Sequence, residues 1–511
     1  MPGPASQVMG EVVRPKFQVH SLIDHALGEY EKGDDGDYYL NGGVAHIVAI
    51  SGRGNVFKTT LLDFLYNSIQ LRYNTSWGSK YDAEVSAQLS RVETAMRSAL
   101  RYNKIIGINP EINIMAELIG QQRYNLAGAD VLPGEQWFAK YMRDEVEARF
   151  KEYSKGGKTL RVTPFPDPIR KANKAMLDPW LYGLDSASEW HTGTLEDKHR
   201  KSEVGSADQN ILNANDALHK ANMMGRWPVM SARGNYYIGF TVHLTDGMVM
   251  GGQDANTGKL LDDFKGELKF AGVPRRAVTF LTNSFLVATA SGECKQPQTY
   301  DKRTGTSEPM FPTSRSKGMA SSSNDLKIVR YTQFRAKSGP TGVKMDLLFS
   351  QEEGFLGGLS NWYYIKEVLP NDYGITRSGH FYALDILPDT KFQRTTVRDQ
   401  LDDDPKLARA MEIVAGLGWM QNNWHTLPQR FQITPAELYQ KVIEAGYDWD
   451  EILTGTVEYW TFEDQKKTGI LNEAIAGIIG IENKWKPTMT VRTLLAIAVD
   501  GHKTNKLTCK K

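Results

Sequence analysis

Cysteine is almost absent from this chain: Cys294 and Cys509 are the two in 511 residues. Two cysteines cannot build a disulfide framework, and neither stands in metal-ligand spacing. A reducing compartment, the cytoplasm, is therefore expected. No apolar run approaches the ~18 residues that span a bilayer, and the N-terminus lacks the charged-then-apolar layout of a secretory signal. Excess charge of one sign is also missing. Lys and Arg number 61, Asp and Glu 60, for a net charge of +1. A nucleic-acid role cannot rest on total charge and needs local patches. No internal repeat is present. What remains is ordinary globular protein, 41% hydrophobic and 24% charged, long enough for two or three domains.

The most informative segment is Gly52-Arg53-Gly54-Asn55-Val56-Phe57-Lys58-Thr59-Thr60. It follows the phosphate-loop pattern G-x-x-x-x-G-K-[ST], with Phe57 in place of the second glycine. His46–Ile50 upstream reads as a buried strand, and Thr60–Leu65 downstream as the start of a helix. In that setting loop amides and the helix N-terminus cradle phosphates, Lys58 supplies a cation, and the Thr59 hydroxyl holds Mg²⁺. The alternative is a glycine-containing turn with a chance lysine.

Further strand ends carry acids in order. Glu84, in Tyr81-Asp82-Ala83-Glu84, resembles the acid that ends the second core strand of RecA-type ATPases, which would make it a general base or water-orienting group; otherwise it is a surface acid opening a helix over 85–100. Trp180–Leu184 is an apolar run ending in Asp185-Ser186, the Walker-B pattern, which makes Asp185 a Mg²⁺ ligand candidate. Tyr236–Val242 ends in His243, expected beside Asp185 as a γ-phosphate sensor, or else a structural strand-end histidine. Arg335 and Lys337 stand at i and i+2 of an extended segment and so project the same way, before the turn Gly339-Pro340-Thr341-Gly342 and the strand Val343–Phe349. In oligomeric RecA-fold ATPases, which this arrangement resembles, such cations stabilise charge on a neighbouring subunit's nucleotide; the alternative is a solvated basic hairpin.

This order of motifs resembles the RecA/UvsX recombinase family, in particular the UvsX-like recombinases of tailed phages, whose phosphate loop also carries Phe at the position of Phe57. Tyr81–Glu84, Asp185-Ser186 and His243 match the family's second-strand, Walker-B and sensor motifs; Val242 stands where the family has asparagine. The match runs by motif order over residues 40–370. It implies an α/β fold, a RecA-like P-loop ATPase core with a mostly parallel central sheet. It also implies ATP and Mg²⁺ as cofactors, single-stranded DNA as partner, self-association into a helical filament, and, for a phage protein, the host cytoplasm. DnaB-type ring hexamers share the Gly-Pro-Thr-Gly turn and are the alternative. Their helical domain usually precedes the phosphate loop, whereas here the extra mass follows it.

The family places DNA in two loops. One would follow the sensor strand, with Gly251, Gly252, Lys259, Lys265, Lys269, Arg275 and Arg276; residues 259–317 carry a net charge of +4. The other would follow Walker B, with Arg200 and Lys201. Solvated surface loops are the alternative. Expected domains are an oligomerising N-terminal segment (1–40), the ATPase core (41–385) and a small, mainly helical C-terminal domain (386–511). At the N-terminus a helix is expected over 21–32. Residues 105–166 read as mainly helical, with a helix from Pro133 to Tyr153. In the C-terminal part, Asp404-Pro405 and the capping box at Thr434-Pro435-Ala436-Glu437 open helices. Trp419, Trp424, Trp449 and Trp460 are expected in the core there.

Overall fold

The computed structural model describes all residues except 1–14, 75, 87, 106–107, 131, 133, 139–142, 155–159, 168–170, 192–206, 247–267, 274–276, 297–307, 315–324, 483 and 508–511. Its centre is a ten-stranded, mostly parallel sheet. Five parallel pairings join β5 (Tyr124–Gly128), β4 (Trp77–Asp82), β8 (Trp180–Asp185), β9 (Tyr236–Asp246), β3 (Ile47–Gly52) and β11 (Ser284–Glu293), in that spatial order. The sheet continues antiparallel through β12 (Leu326–Ala336), β13 (Lys344–Ser350) and β14 (Gly354–Phe355), and β10 (Leu268–Phe270) pairs with β9.

Both faces of this sheet are covered, so the inner strands β3 and β8 are largely apolar rather than alternating, while β4 buries Ser79 and Lys80. Successive side chains of β3 feed two separate cores. Val48 and Ile50 face the helix Lys58–Arg72, through Leu61, Leu62 and Leu65. Ile47 and Ala49 face the other layer, with Trp137 and Trp227. Among the described residues no helix is long and apolar enough to cross a membrane.

Smaller sheets flank the main one: the hairpin β1 (Glu29–Lys32) and β2 (Tyr38–Asn41), the hairpin β6 (Leu160–Asp167) and β7 (Ala172–Leu177), and a meander of β15 (Ile375–Ser378), β16 (Phe381–Leu384) and β17 (Leu387–Phe392). The helix expected over 21–32 ends at Ala26, and the chain turns into β1. Gly28 explains the break: a Cβ there would lie 2.5 Å from Gly42 Cα and 2.6 Å from the Asp24 carbonyl oxygen. The regular structure described in 105–166 is helical for the larger part, as expected, but β5 interrupts it and β6 closes it. Helices Gly134–Phe138 and Glu145–Ser154 stand where one was expected, and the helix expected over 85–100 spans Leu89–Tyr102.

The C-terminal helix starts form as the sequence predicts. Asp404 caps Pro405–Asn423 by accepting from the Lys406 and Leu407 amides, and Thr434 and Glu437 make the reciprocal capping box of Pro435–Glu444. Trp419, Trp449 and Trp460 are buried, and Trp424 packs half-buried against the same core. That core also takes in the start of the described chain. Phe17 stacks on Trp460 with centroids 5.3 Å apart and meets Tyr73 edge-on at 4.4 Å. A buried polar chain runs alongside: His25 to the Tyr30 hydroxyl at 3.0 Å, Tyr30 to Glu458 at 3.1 Å, and Glu458 to Arg409 at 3.2 Å.

Candidate active site at the sheet edge

The C-terminal edge of the parallel strands gathers most of the residues singled out in the sequence. Asp82 and Asp185 are register partners at the ends of β4 and β8, and Gly52 faces His243 across β3 and β9. The loop from β3 exposes Arg53, Gly54 and Asn55, then buries Val56. Gly52 must be glycine, because a Cβ would lie 2.6 Å from Val56 Cγ2 and 2.9 Å from Ala288 Cβ. Phe57 takes the position of the pattern's second glycine at φ 56°, a left-handed conformation that costs a non-glycine residue about 1 kcal/mol. Its ring stacks on Phe349, with centroids 4.9 Å apart and planes 17° apart, and that packing offsets the strain. The Tyr331 hydroxyl donates to the Val56 carbonyl at 2.6 Å, pinning the loop from β12.

Phe57 starts the helix Lys58–Arg72, and no side chain caps its N-terminus. The end of a helix carries amide donors and partial positive charge, the arrangement that binds phosphate. Lys58 folds back so that Nζ donates to the Arg53 carbonyl at 2.7 Å. Burial lowers its pKa, against the opposing pull of Asp185 and Glu84. The Thr59 hydroxyl donates to Asp185 Oδ1 at 3.1 Å, and the Thr241 hydroxyl to the same oxygen at 2.7 Å.

The sequence expectation put His243 beside Asp185. Thr241 occupies that place instead, because β9 pairs with β8 one pleat earlier. His243 reaches over to β4, where Nε2 lies 2.6 Å from Glu84 Oε1. The two side chains border a cleft of about 590 Å³, lined also by Ala83, Glu189, His191, Leu244 and Ala271.

Sequence reasoning missed Lys80. It is 2% exposed, and Nζ lies 3.0 and 2.8 Å from the two Asp63 oxygens and 3.5 Å from Asp185 Oδ2. Burial disfavours its charge, but Asp63 and Asp185 outweigh that and hold the ammonium well above its usual range. Burial likewise works against the Asp185 carboxylate, and Lys80 with the two hydroxyls keeps it below the usual range. A lysine inside a strand next to two acid-bearing elements was the available signal.

Arg335 and Lys337 do project together, yet away from this edge. Arg335 pairs with Phe285, whose partner in β3 is Ala49, below the loop. Its guanidinium donates to the Thr279 carbonyl and stacks over Phe280, 5.4 Å away. Lys337 donates to the Leu281 carbonyl at 3.3 Å. Both lie at the opposite end of the sheet. The DNA candidates Arg200, Lys201, Gly251, Gly252, Lys259, Lys265, Arg275 and Arg276 lie outside the described residues, and only the backbone of Lys269 is described, paired with Thr245.

Asp185 and Thr59 present two close oxygens, one anionic, which suits a hard cation such as Mg²⁺. Among the described residues no cluster of three or more His, Cys, Asp or Glu forms a self-sufficient metal site. No protein-family profile matches the chain, and no curated protein matches it. Solved structures similar to it include a crystal structure of the RadB recombinase, at 11% identity over 61% of this chain and 92% of that chain, with a TM-score of 0.27. So loose an overlap carries no weight beside the residues themselves.

Proposed function

We propose that this chain is a RecA-like, Mg²⁺-dependent ATPase that assembles on single-stranded DNA as a recombinase. One observation carries the reading. Lys58, Thr59, Glu84 and Asp185, singled out separately in the sequence, meet at one edge of a parallel sheet around an uncapped helix N-terminus. That convergence is what phosphoryl transfer needs, because its catalysis is mostly positioning and charge stabilisation.

In this reading the loop amides and Lys58 take the β- and γ-phosphates, Lys58 exchanging the Arg53 carbonyl for phosphate oxygens. Thr59 and Asp185 would hold Mg²⁺, which neutralises charge on the phosphates when bound. Glu84 accepts a proton from the attacking water. His243, 2.6 Å from that carboxylate, holds it in place and answers to the presence of the γ-phosphate. Arg335 and Lys337 serve a neighbouring subunit. DNA contact is read from the sequence alone, from the glycines and basic residues after β9 and the basic stretch after Glu189, both outside the described residues.

Lys58→Ala should weaken nucleotide binding and abolish turnover. Glu84→Gln should spare binding and lower kcat on the order of 10²-fold. Normal turnover by the Gln variant removes Glu84 from the chemistry. Negative-stain microscopy with single-stranded DNA and a slowly hydrolysed ATP analogue should show helical filaments. Closed rings would instead indicate a hexameric motor.

A further inference from the structure

We infer that Lys80 is a positioning residue that holds Asp185 in its ligand pose while repelling a bare divalent cation, so that Mg²⁺ enters only with nucleotide phosphates. The inference rests on the reading above, that Asp185 and Thr59 hold Mg²⁺. A lysine ammonium has three donors. Two are spent on Asp63 at 3.0 and 2.8 Å, and Asp185 Oδ2 lies within 3.5 Å of the same nitrogen. Asp185 Oδ1 takes the Thr241 and Thr59 hydroxyls. Both carboxylate oxygens are therefore faced by protein before any cation arrives, and the side chain is held in one pose.

That order has a cost for a lone metal ion. Lys80 is 2% exposed, so water screens it little, and its charge faces the acid that a dication would use. A bare dication meets an anion whose charge is partly offset from behind by an ammonium shared with Asp63. A triphosphate adds several negative charges on the open side and reverses the balance. Stability alone does not account for the pair, because buried ion pairs are often replaced by apolar residues without loss. Asp63 comes from the helix that begins at the phosphate loop, and Lys80 from the strand that leads to Glu84. The pair thus sits where loop and acid must be kept in register.

The test counts free Mn²⁺ by electron paramagnetic resonance, using the full chain with and without a non-hydrolysable ATP analogue. Lys80→Met with Asp63→Asn removes both charges and strands neither. Its affinity for Mn²⁺ without nucleotide should rise about tenfold or more, while affinity with the analogue changes only a few-fold. Lys80→Met with Asp63→Leu carries the same expectation should the first pair not fold, judged by thermal melting. Lys80→Arg keeps the charge and should keep the nucleotide requirement. A folded neutral pair with wild-type affinity for Mn²⁺ alone overturns the inference, as does a gain by Lys80→Arg. Asp185→Asn separates the two levels. If that variant binds Mn²⁺ with the analogue as the wild type does, Asp185 is no ligand, and the reading of the site falls together with the inference.

Discussion

If Arg335 and Lys337 contribute to ATP hydrolysis, they do so between chains, and the structure supplies the magnitude. Arg335 stands level with Ala49, three residues before Gly52 at the end of β3. At ~3.3 Å per residue its backbone lies about 10 Å below the start of the phosphate loop. Its side chain points further off, to the Thr279 carbonyl and the Phe280 ring. A unit charge more than about 10 Å away through water is worth at most about 0.4 kcal/mol, less than a twofold effect. A cation placed on the transferring phosphoryl from another subunit can be worth about 10³-fold. The two cases separate in a mixing experiment. Lys58→Ala keeps its cations but has a dead loop; Arg335→Ala with Lys337→Ala has the reverse. Each alone should be nearly inactive. In an equal mixture about a quarter of random interfaces join a sound loop to sound cations, so turnover should recover to about that fraction of wild type, far above a ~10³-fold deficit. Phosphate release is the assay, with light scattering to confirm assembly. No recovery at any ratio, in mixtures that do assemble, refutes the reasoning.

Two other perturbations bear on the fold. Phe57→Ala keeps the left-handed backbone and loses the Phe349 stack, so urea unfolding should show a loss of about 1–2 kcal/mol. Phe57→Gly should recover part of it, and a glycine variant no more stable than the alanine one would count against strain at this position. The Asp24 carboxyl is pushed from 3.8 up to about 7, chiefly by burial, against the opposing Arg72 charge; its contribution is complete below pH 3.8 and fades as the pH rises to about 7. His20, lowered from 6.5 to about 3 by burial, acts oppositely: its contribution is complete above pH 6.5 and is lost as the pH falls toward 3. Asp24→Asn should therefore gain stability relative to wild type across the window from 3.8 to about 7, with a ceiling of about 4 kcal/mol. Guanidinium unfolding at several pH values reads the difference, and one that does not vary with pH would contradict the assignment.

The loop Gly52–Thr59 was legible as a candidate because it is contiguous: a glycine turn, a lysine and a threonine need no tertiary information to be seen together. Asp185 and His243 were legible as polar ends of apolar runs, the places where a parallel sheet delivers side chains to its edge, whereas Glu84 was read from the spacing of Tyr81-Asp82-Ala83-Glu84 after a stretch poor in apolar residues. Their pairing was not, because it depends on register. One pleat of β9 decides that Thr241 rather than His243 meets Asp185. The contact of His243 with Glu84 spans β8, which lies between their strands. Lys80 and Asp63 sit 17 residues apart on a strand and a helix, and nothing in either segment's periodicity points to the other. β5 was hidden for another reason. It is a short edge strand, mostly half-buried, in a stretch that otherwise forms helices. The N-terminal helix was overextended because Gly28 reads as a mild helix breaker, while its real constraint is the backbone crossing at Gly42.

The placement of Arg335 and Lys337 follows from strand direction. β11 runs parallel to β3, so both end at the phosphate-loop edge. β12 runs back antiparallel, so it must begin at that edge and finish at the other. Tyr331, midway along it, is still level with the loop and bonds to Val56, whereas Arg335 and the residues beyond have passed to the far end. Alternation along the strand tells which side chains share a face, and that much the sequence carried. Which end of the sheet they reach depends on whether the long connection from β11 returns the chain parallel or antiparallel, and the spacing of residues is the same in either case. The antiparallel return makes β12 a strut that bonds to the loop through Tyr331 and carries Arg335 away from it.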